Sequence, residues 1–207
     1  MRGDFSPFAG KMREAGLSEP HIAAFESHYA ELVRGGSGYL RAEHLEPVQH
    51  LPVFEEGGTD GRDLLQRTVV IRLNGGLGTT MGLSGPKSLL PVREGRTFLD
   101  LAVGQHLAGA GEAALVFMNS FHTSQETRQA LDAYPPVSRE LPWELVQSRV
   151  PKVREADLTP ASCPEDPDLE WCPPGHGDLY PTLWSSGFLD TALNLGYRYA
   201  FVSNIDN

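Results

Sequence analysis

Two periods of apolar residues divide this chain. From Glu19 to Val33, the residues Ile22, Phe25, Tyr29, Leu32 and Val33 recur at helical spacing and the glycines of RGGSG close the run, which predicts an amphipathic N-terminal helix. From Ser37 to Leu65 the pattern lapses, broken by Pro47, Pro52 and EEGGTDG, and the stretch reads as an irregular arm. Short β-branched runs then alternate with helical ones. The order is strand TVVIRL, a glycine-rich loop, a helix over 97–108, strand AALVFMN, a helix over 123–134 and strand WELVQS. Strand and helix taking turns predict a parallel sheet with helices on its faces. The proline-rich stretch from Arg149 to Asp178 is too long for a simple connector and reads as a functional excursion. One helix over 179–195 and a strand YAFVSN follow. The expected division is a helix and arm over 1–65 and an α/β unit over 66–207.

Composition narrows the partners. A length of 207 residues with 40% hydrophobic content supplies one sizeable core. A formal net charge of -10 removes the broad attraction on which nonspecific nucleic-acid binding depends, so an anionic ligand must be caught locally. The opening MRGDFSPFAGKM has no apolar signal region, and the longest apolar run, AALVFM, is too short to cross a bilayer, so no membrane partner and a cytoplasmic address are expected. Cys163 and Cys172 form no CxxC pair and are expected to be two free thiols.

The loop after the first strand carries the chemistry. LNGGLGTTMGLSGPKS, Leu73 to Ser88, holds five glycines, one proline and one lysine. It is not a Walker A loop, because Pro86 separates Gly85 from Lys87 and removes an N–H where that loop needs a donor. Nor is it the dinucleotide fingerprint, since Gly76, Gly78 and Gly82 are spaced GxGxxxG. What remains is a backbone able to approach a ligand closely at the carboxyl end of a parallel strand, with Lys87 folding back as a fixed positive charge suited to phosphate. Ordinary turns and a solvated surface lysine are the plainer alternative.

The same stretch resembles the nucleotide-binding signature of the eukaryotic-type UTP:glucose-1-phosphate uridylyltransferases. FLDL at Phe98, VQSRVPKV at Val146, WCPPGHGDLY at Trp171 and FVSNIDN at Phe201 resemble that family's later blocks in order. The resemblance implies a GT-A-like, Rossmann-related nucleotidyltransferase domain with a mostly parallel central sheet. There, glucose 1-phosphate attacks the α-phosphorus of UTP and pyrophosphate leaves, a displacement that needs alignment and charge relief rather than a protein nucleophile. By motif, Leu73, Asn74, Gly75 and Gly76 would line the uridine and phosphate end, and Lys87 would be the catalytic residue gripping the UTP phosphates. Gln147 and Gly175 would meet the base, His176 and Asn204 the glucose 1-phosphate, and Asp206 the nucleotide and Mg²⁺. Gln147 also fits a polar strand end, and Asn204 and Asp206 a strand-terminal turn.

Two departures from the family pattern stand out. SRVPKV lacks the aromatic expected before its proline, and the pattern continues past SNIDN with more sheet, most of the sugar pocket, a second phosphate-binding lysine and a β-helix. The chain is therefore expected to be an N-terminal fragment, inactive alone or weakly nucleotide-binding. Two other readings stay open. Uridylyl transfer to an N-acetylhexosamine 1-phosphate is one, disfavoured by Thr80 and Met81 where those enzymes carry a loop arginine. A non-catalytic nucleotide-binding fragment is the other.

Overall fold

The computed structural model describes residues 3–36, 38–51, 53, 61–78, 82, 85–109, 112–135 and 140–206. Two helices open the chain, α1 (Ser6–Glu14) and α2 (Glu19–Val33), each with a proline in its first turn where a missing N–H costs nothing. The pattern predicts α2; α1 is additional, although its Phe8, Ala9 and Met12 are buried at helical spacing. The described part of the arm holds one 3₁₀ turn at Ala42–His44 and a short helix α3 (Arg62–Leu65).

The α/β unit follows as β1 (Thr68–Asn74), the hairpin β2 (Pro91–Arg93) and β3 (Arg96–Thr97), α4 (Phe98–Gly109), β4 (Ala114–Asn119), α5 (Ser124–Leu131) and β5 (Glu144–Val146). The excursion contains the paired strands β6 (Val150–Pro151) and β7 (Trp171–Cys172). After it come α6 (Leu179–Ser185), α7 (Phe188–Asn194) and β8 (Tyr199–Asn204). The single helix expected over 179–195 is thus two. Gly187, at φ 72°, occupies a left-handed conformation that breaks the helical ladder between them.

β1, β4, β5 and β8 form one sheet in the order β5-β4-β1-β8, with every pairing parallel. The direction of winding reverses between β1 and β8, which makes the crevice at their carboxyl ends the topological switch point where such sheets bind ligands. β1 is buried on both faces, as parallel strands are. Val69 and Ile71 pack with Phe188 and Ala192, whereas Val70 packs with Leu99, Val103 and Phe117. The entry to α4 is a reciprocal cap: Thr97 N–H donates to Asp100 Oδ2 (2.7 Å) and Asp100 N–H to Thr97 Oγ1 (3.1 Å).

The α1–α2 hairpin is seated on the excursion. Met12 and Ile22 pack with Trp171, Phe121 and Val150. Lys11 pairs with Glu170 and donates to Ala161 O (3.0 Å), and Tyr29 donates its hydroxyl to Leu158 O (2.8 Å).

Candidate functional site

The glycine loop folds back on itself beyond β1. Leu77 and Pro86 form an antiparallel bridge, Gly78 N–H donates to Gly85 O, and Lys87 N–H donates to Gly76 O, the last two at 3.1 Å. Lys87 is thereby returned beside the first glycines, and the following turn, Lys87–Leu89, leads into β2. Thr80 and Met81 lie outside the described residues.

Across the switch point stands the end of β8. Leu73 is in register with Asn204, and Ile205 N–H donates to Leu73 O (3.1 Å), which locks the two strand ends together. Asp206 follows, and its Oδ2 lies 2.5 Å from Lys87 Nζ. The hydrogen bond from Lys87 holds the Asp206 carboxyl below its usual range against partial burial, with the charge of nearby His176 adding to it. Lys87 and Asp206, 119 positions apart, thus form an ion pair with His176 nearby. His176 is exposed, and Asn204 is half-buried.

A second cluster forms at the other end. Gln147 leaves β5 with its N–H bonded to Asn119 O (2.7 Å), and its side chain is 5% exposed. Neither Nε2 nor Oε1 has a hydrogen-bond partner among the described residues. That amide lies against Gly75, where a Cβ would come within 2.6 Å of Nε2. A buried carboxamide with a donor and an acceptor both unspent is costly and is what a hydrogen-bonding ligand edge would satisfy. Gly76, by contrast, has open space where a side chain would be. Gly175, at φ 99°, begins the 176–178 turn and takes a conformation open to glycine.

Asn74 ends β1. Motif places it on the ligand, yet its carboxamide turns inward, 2% exposed, and donates to Asn119 Oδ1 (2.7 Å) and Thr127 Oγ1 (2.9 Å). It serves the pocket from below. Asn119 donates in turn to Glu144 Oε1 (2.7 Å), which also accepts Ser124 Oγ–H (2.6 Å), and Thr123 caps Asn74 O (2.8 Å). This polar layer under Gly75 and Gln147 had one sequence signal, an asparagine ending each of two strands. Its partners Thr123, Thr127 and Glu144 carried none.

Among the described residues no three His, Cys, Asp or Glu side chains converge as a metal cage, no helix is long and apolar enough to cross a membrane, and Cys163 and Cys172 are free thiols.

A parallel sheet of Rossmann order, with a glycine hairpin, a lysine and an acidic strand end meeting at its switch point, defines a domain of the class that holds phosphorylated ligands there. More particularly, the chain belongs to the UTP–glucose-1-phosphate uridylyltransferase family, whose model matches residues 24–207. It is 42% identical over 194 residues to the Schizosaccharomyces pombe protein named Probable UTP–glucose-1-phosphate uridylyltransferase, covering 90% of this chain and 38% of that one. The potato UTP–glucose-1-phosphate uridylyltransferase is 40% identical over 80% of this chain and 35% of its own length. Among solved structures, the Trypanosoma brucei UDP-glucose phosphorylase superposes with a TM-score of 0.83 at 42% identity over 99% of this chain and 44% of that one. A Leishmania major UDP-glucose pyrophosphorylase variant in complex with UDP-glucose gives 0.86 at 38% identity, with 100% and 44% covered. The chain therefore spans well under half the length of the relatives it matches.

Proposed function

We propose that this chain forms the nucleotide-binding side of a uridylyltransferase that makes UDP-glucose and pyrophosphate from UTP and glucose 1-phosphate. The observation that carries the reading is the unpaired carboxamide of Gln147 against Gly75. Uracil presents an acceptor and a donor on adjacent edge atoms, and a fixed amide answers both. Lys87, returned beside the first glycines by its N–H bond to Gly76 O, lies on the side of the loop where the phosphates would run. Its ammonium offsets the charge that builds as pyrophosphate leaves, without any proton transfer or protein nucleophile. By motif, His176 and Asn204 would meet the sugar phosphate.

A divalent cation, Mg²⁺ by family, fits the donor set in one limited way. Asp206 offers a single hard carboxylate with Oδ2 already on Lys87, and Mg²⁺ is commonly held by one or two carboxylates plus substrate phosphates. When bound it would supply charge neutralisation of the phosphates. The Lys87 ammonium carries three N–H donors, so it can bond a phosphate oxygen beside Asp206.

The test is calorimetric titration of the 207-residue chain with UDP-glucose and CDP-glucose. Preference for the uridine compound is expected, because a cytosine amino group meets a donor; equal affinities or no binding would overturn the reading. Turnover of UTP and glucose 1-phosphate by this chain alone is expected to be absent. Alignment within about 1 Å is needed for rate, and the relatives in which the reaction is named are more than twice as long.

A further inference from the structure

The base-reading segments meet at a buried carboxylate that motif does not place in the site. Asp178, 7% exposed, accepts Ser148 N–H (2.7 Å) and Thr182 Oγ1–H (2.9 Å) on Oδ2, and Ser148 Oγ–H (2.8 Å) on Oδ1. Its own N–H donates to Gly175 O (3.1 Å). Ser148 adjoins Gln147, so Asp178 fastens the Gln147 segment to the Gly175 turn.

A fourth group reaches the same carboxylate from the N-terminal hairpin. His21 of α2 is 7% exposed, its Nδ1 sits 2.7 Å from Ser18 Oγ, and its Nε2 lies 3.6 Å from Asp178 Oδ1 with no hydrogen-bond partner among the described residues. A cavity of about 330 Å³ lies at this junction, lined by His21 and Asp178 with Phe25, His28, Pro174 and Pro181. Apolar packing does not fill this gap, so at this junction the polar pair is the contact that links α2 to the turn. An unsatisfied buried ring nitrogen beside a carboxylate favours closing the remaining distance.

We propose that His21 is a positioning residue that couples the α1–α2 hairpin, through Asp178, to Gln147 and the Gly175 turn and so sets the affinity for the base. The affinity part rests on the uridine reading above; the coupling does not. His21 itself touches neither base nor phosphate in this scheme. It acts by holding the carboxylate that holds both segments.

The decisive variant is His21→Phe, which keeps ring volume and removes the nitrogens, with His21→Gln as the conservative rescue because its amide N–H can still reach Asp178. Amide hydrogen exchange of the ligand-free chain should rise about tenfold at Ser148 and Asp178 in His21→Phe and return toward wild type in His21→Gln, while the β4 amides stay unchanged. UDP-glucose affinity should fall about three- to tenfold in His21→Phe, with a smaller loss for CDP-glucose, and recover in His21→Gln. Unchanged exchange at Ser148 and Asp178 overturns the coupling whatever the nucleotide data show. Equal affinity of the wild-type chain for UDP-glucose and CDP-glucose overturns the base reading alone. Should His21→Phe not fold, His21→Ala is compared in the wild-type and Asp178→Asn backgrounds, since Asp178→Asn retains an acceptor for Ser148 N–H: a rise in Ser148 exchange in the wild-type background that vanishes in Asp178→Asn sustains the coupling, whereas no rise, or an equal rise in both, refutes it.

Discussion

Gly75 and the carboxamide of Gln147 share one space: a Cβ at Gly75 would stand 2.6 Å from Nε2 and 3.1 Å from both Cδ and Oε1. The glycine is there because the amide is, and the amide is too buried to swing aside freely. Gly75→Ala is therefore expected to displace Gln147 and to destabilise the fold by about 1–3 kcal/mol, the usual range for overpacking. UDP-glucose affinity should fall about tenfold or more at the same time. Urea unfolding and calorimetry read the two effects, and an unchanged affinity would separate this glycine from the ligand.

Gln147→Met gives the opposite sign on stability. An apolar side chain of similar length removes two buried polar atoms that lack partners, each costing about 1–3 kcal/mol when unsatisfied. The variant should unfold at higher urea than wild type while losing its preference for uridine over cytidine. A residue kept only to end a strand would show neither change, so a Gln147→Met chain less stable than wild type contradicts the assignment.

What the sequence made legible follows from the kind of signal each element carries. β1 carries a β-branched run and β4 a nearly continuous apolar one, each bounded by turns, and the alternation with helices implies their parallel pairing. The split at Gly187 was not legible, because Phe188 and Ala192 continue the apolar stripe of α6 across the break and only the backbone's positive φ interrupts it. At the site, glycines and a lysine in one loop announce a phosphate cradle, and Gln147 is marked only by resemblance. The inward turn of the Asn74 side chain was not legible, because a motif names a position, not a direction. Asp178 and His21 meet across 157 positions of chain, a contact that no local pattern encodes.

Asp100 and Tyr134 define a separate pH-dependent element. Burial alone would raise Asp100, but the Thr97 N–H and the Tyr134 hydroxyl outweigh it and hold the carboxyl low. Burial, then the bond to Asp100, pushes Tyr134 up to about 12. A lowered carboxyl contributes stability above its unfolded value that is lost as pH falls through the folded one. A raised phenol contributes below its ordinary value and loses it as pH climbs from about 10 to about 12. Tyr134→Phe should remove the alkaline loss of stability and delete the latest phenolate absorbance step. A wild-type titration with every exposed and buried tyrosine ionising together near 10 would refute it.

The Lys87–Asp206 pair makes a prediction about anions. Asp206 offsets the ammonium charge that a phosphate would use, so Asp206→Asn should tighten inorganic pyrophosphate binding about threefold or more in metal-free buffer. It should also abolish any further gain on adding Mg²⁺, because the one carboxylate suited to the cation is gone. Lys87→Ala should weaken pyrophosphate under both conditions. Weaker pyrophosphate binding by Asp206→Asn without metal would mean that the carboxylate orients Lys87 for the ligand and does not compete with it.

β8 presents the opposite problem, apolar surface without cover. Among the described residues its only sheet neighbour is β1, and Tyr199, Phe201 and Val202 are 51%, 57% and 39% exposed on a strand with both faces open. Beside it, Phe188, Leu189 and Leu193 line an apolar cleft together with Tyr197. An open strand edge offers unpaired N–H and C=O groups to any other chain, and flanking apolar side chains add a driving force that does not depend on sequence match. The net charge of -10 opposes association. That repulsion is screened at physiological salt, whereas edge pairing is not, so self-association should grow as salt is raised. Sedimentation velocity over a concentration series should show oligomers of the 207-residue chain that Phe201→Lys converts to monomer, with the β1 and β4 amides still protected from exchange. A wild-type chain that stays monomeric at high salt, or a Phe201→Lys chain that associates equally, would mean that some other surface governs its solubility.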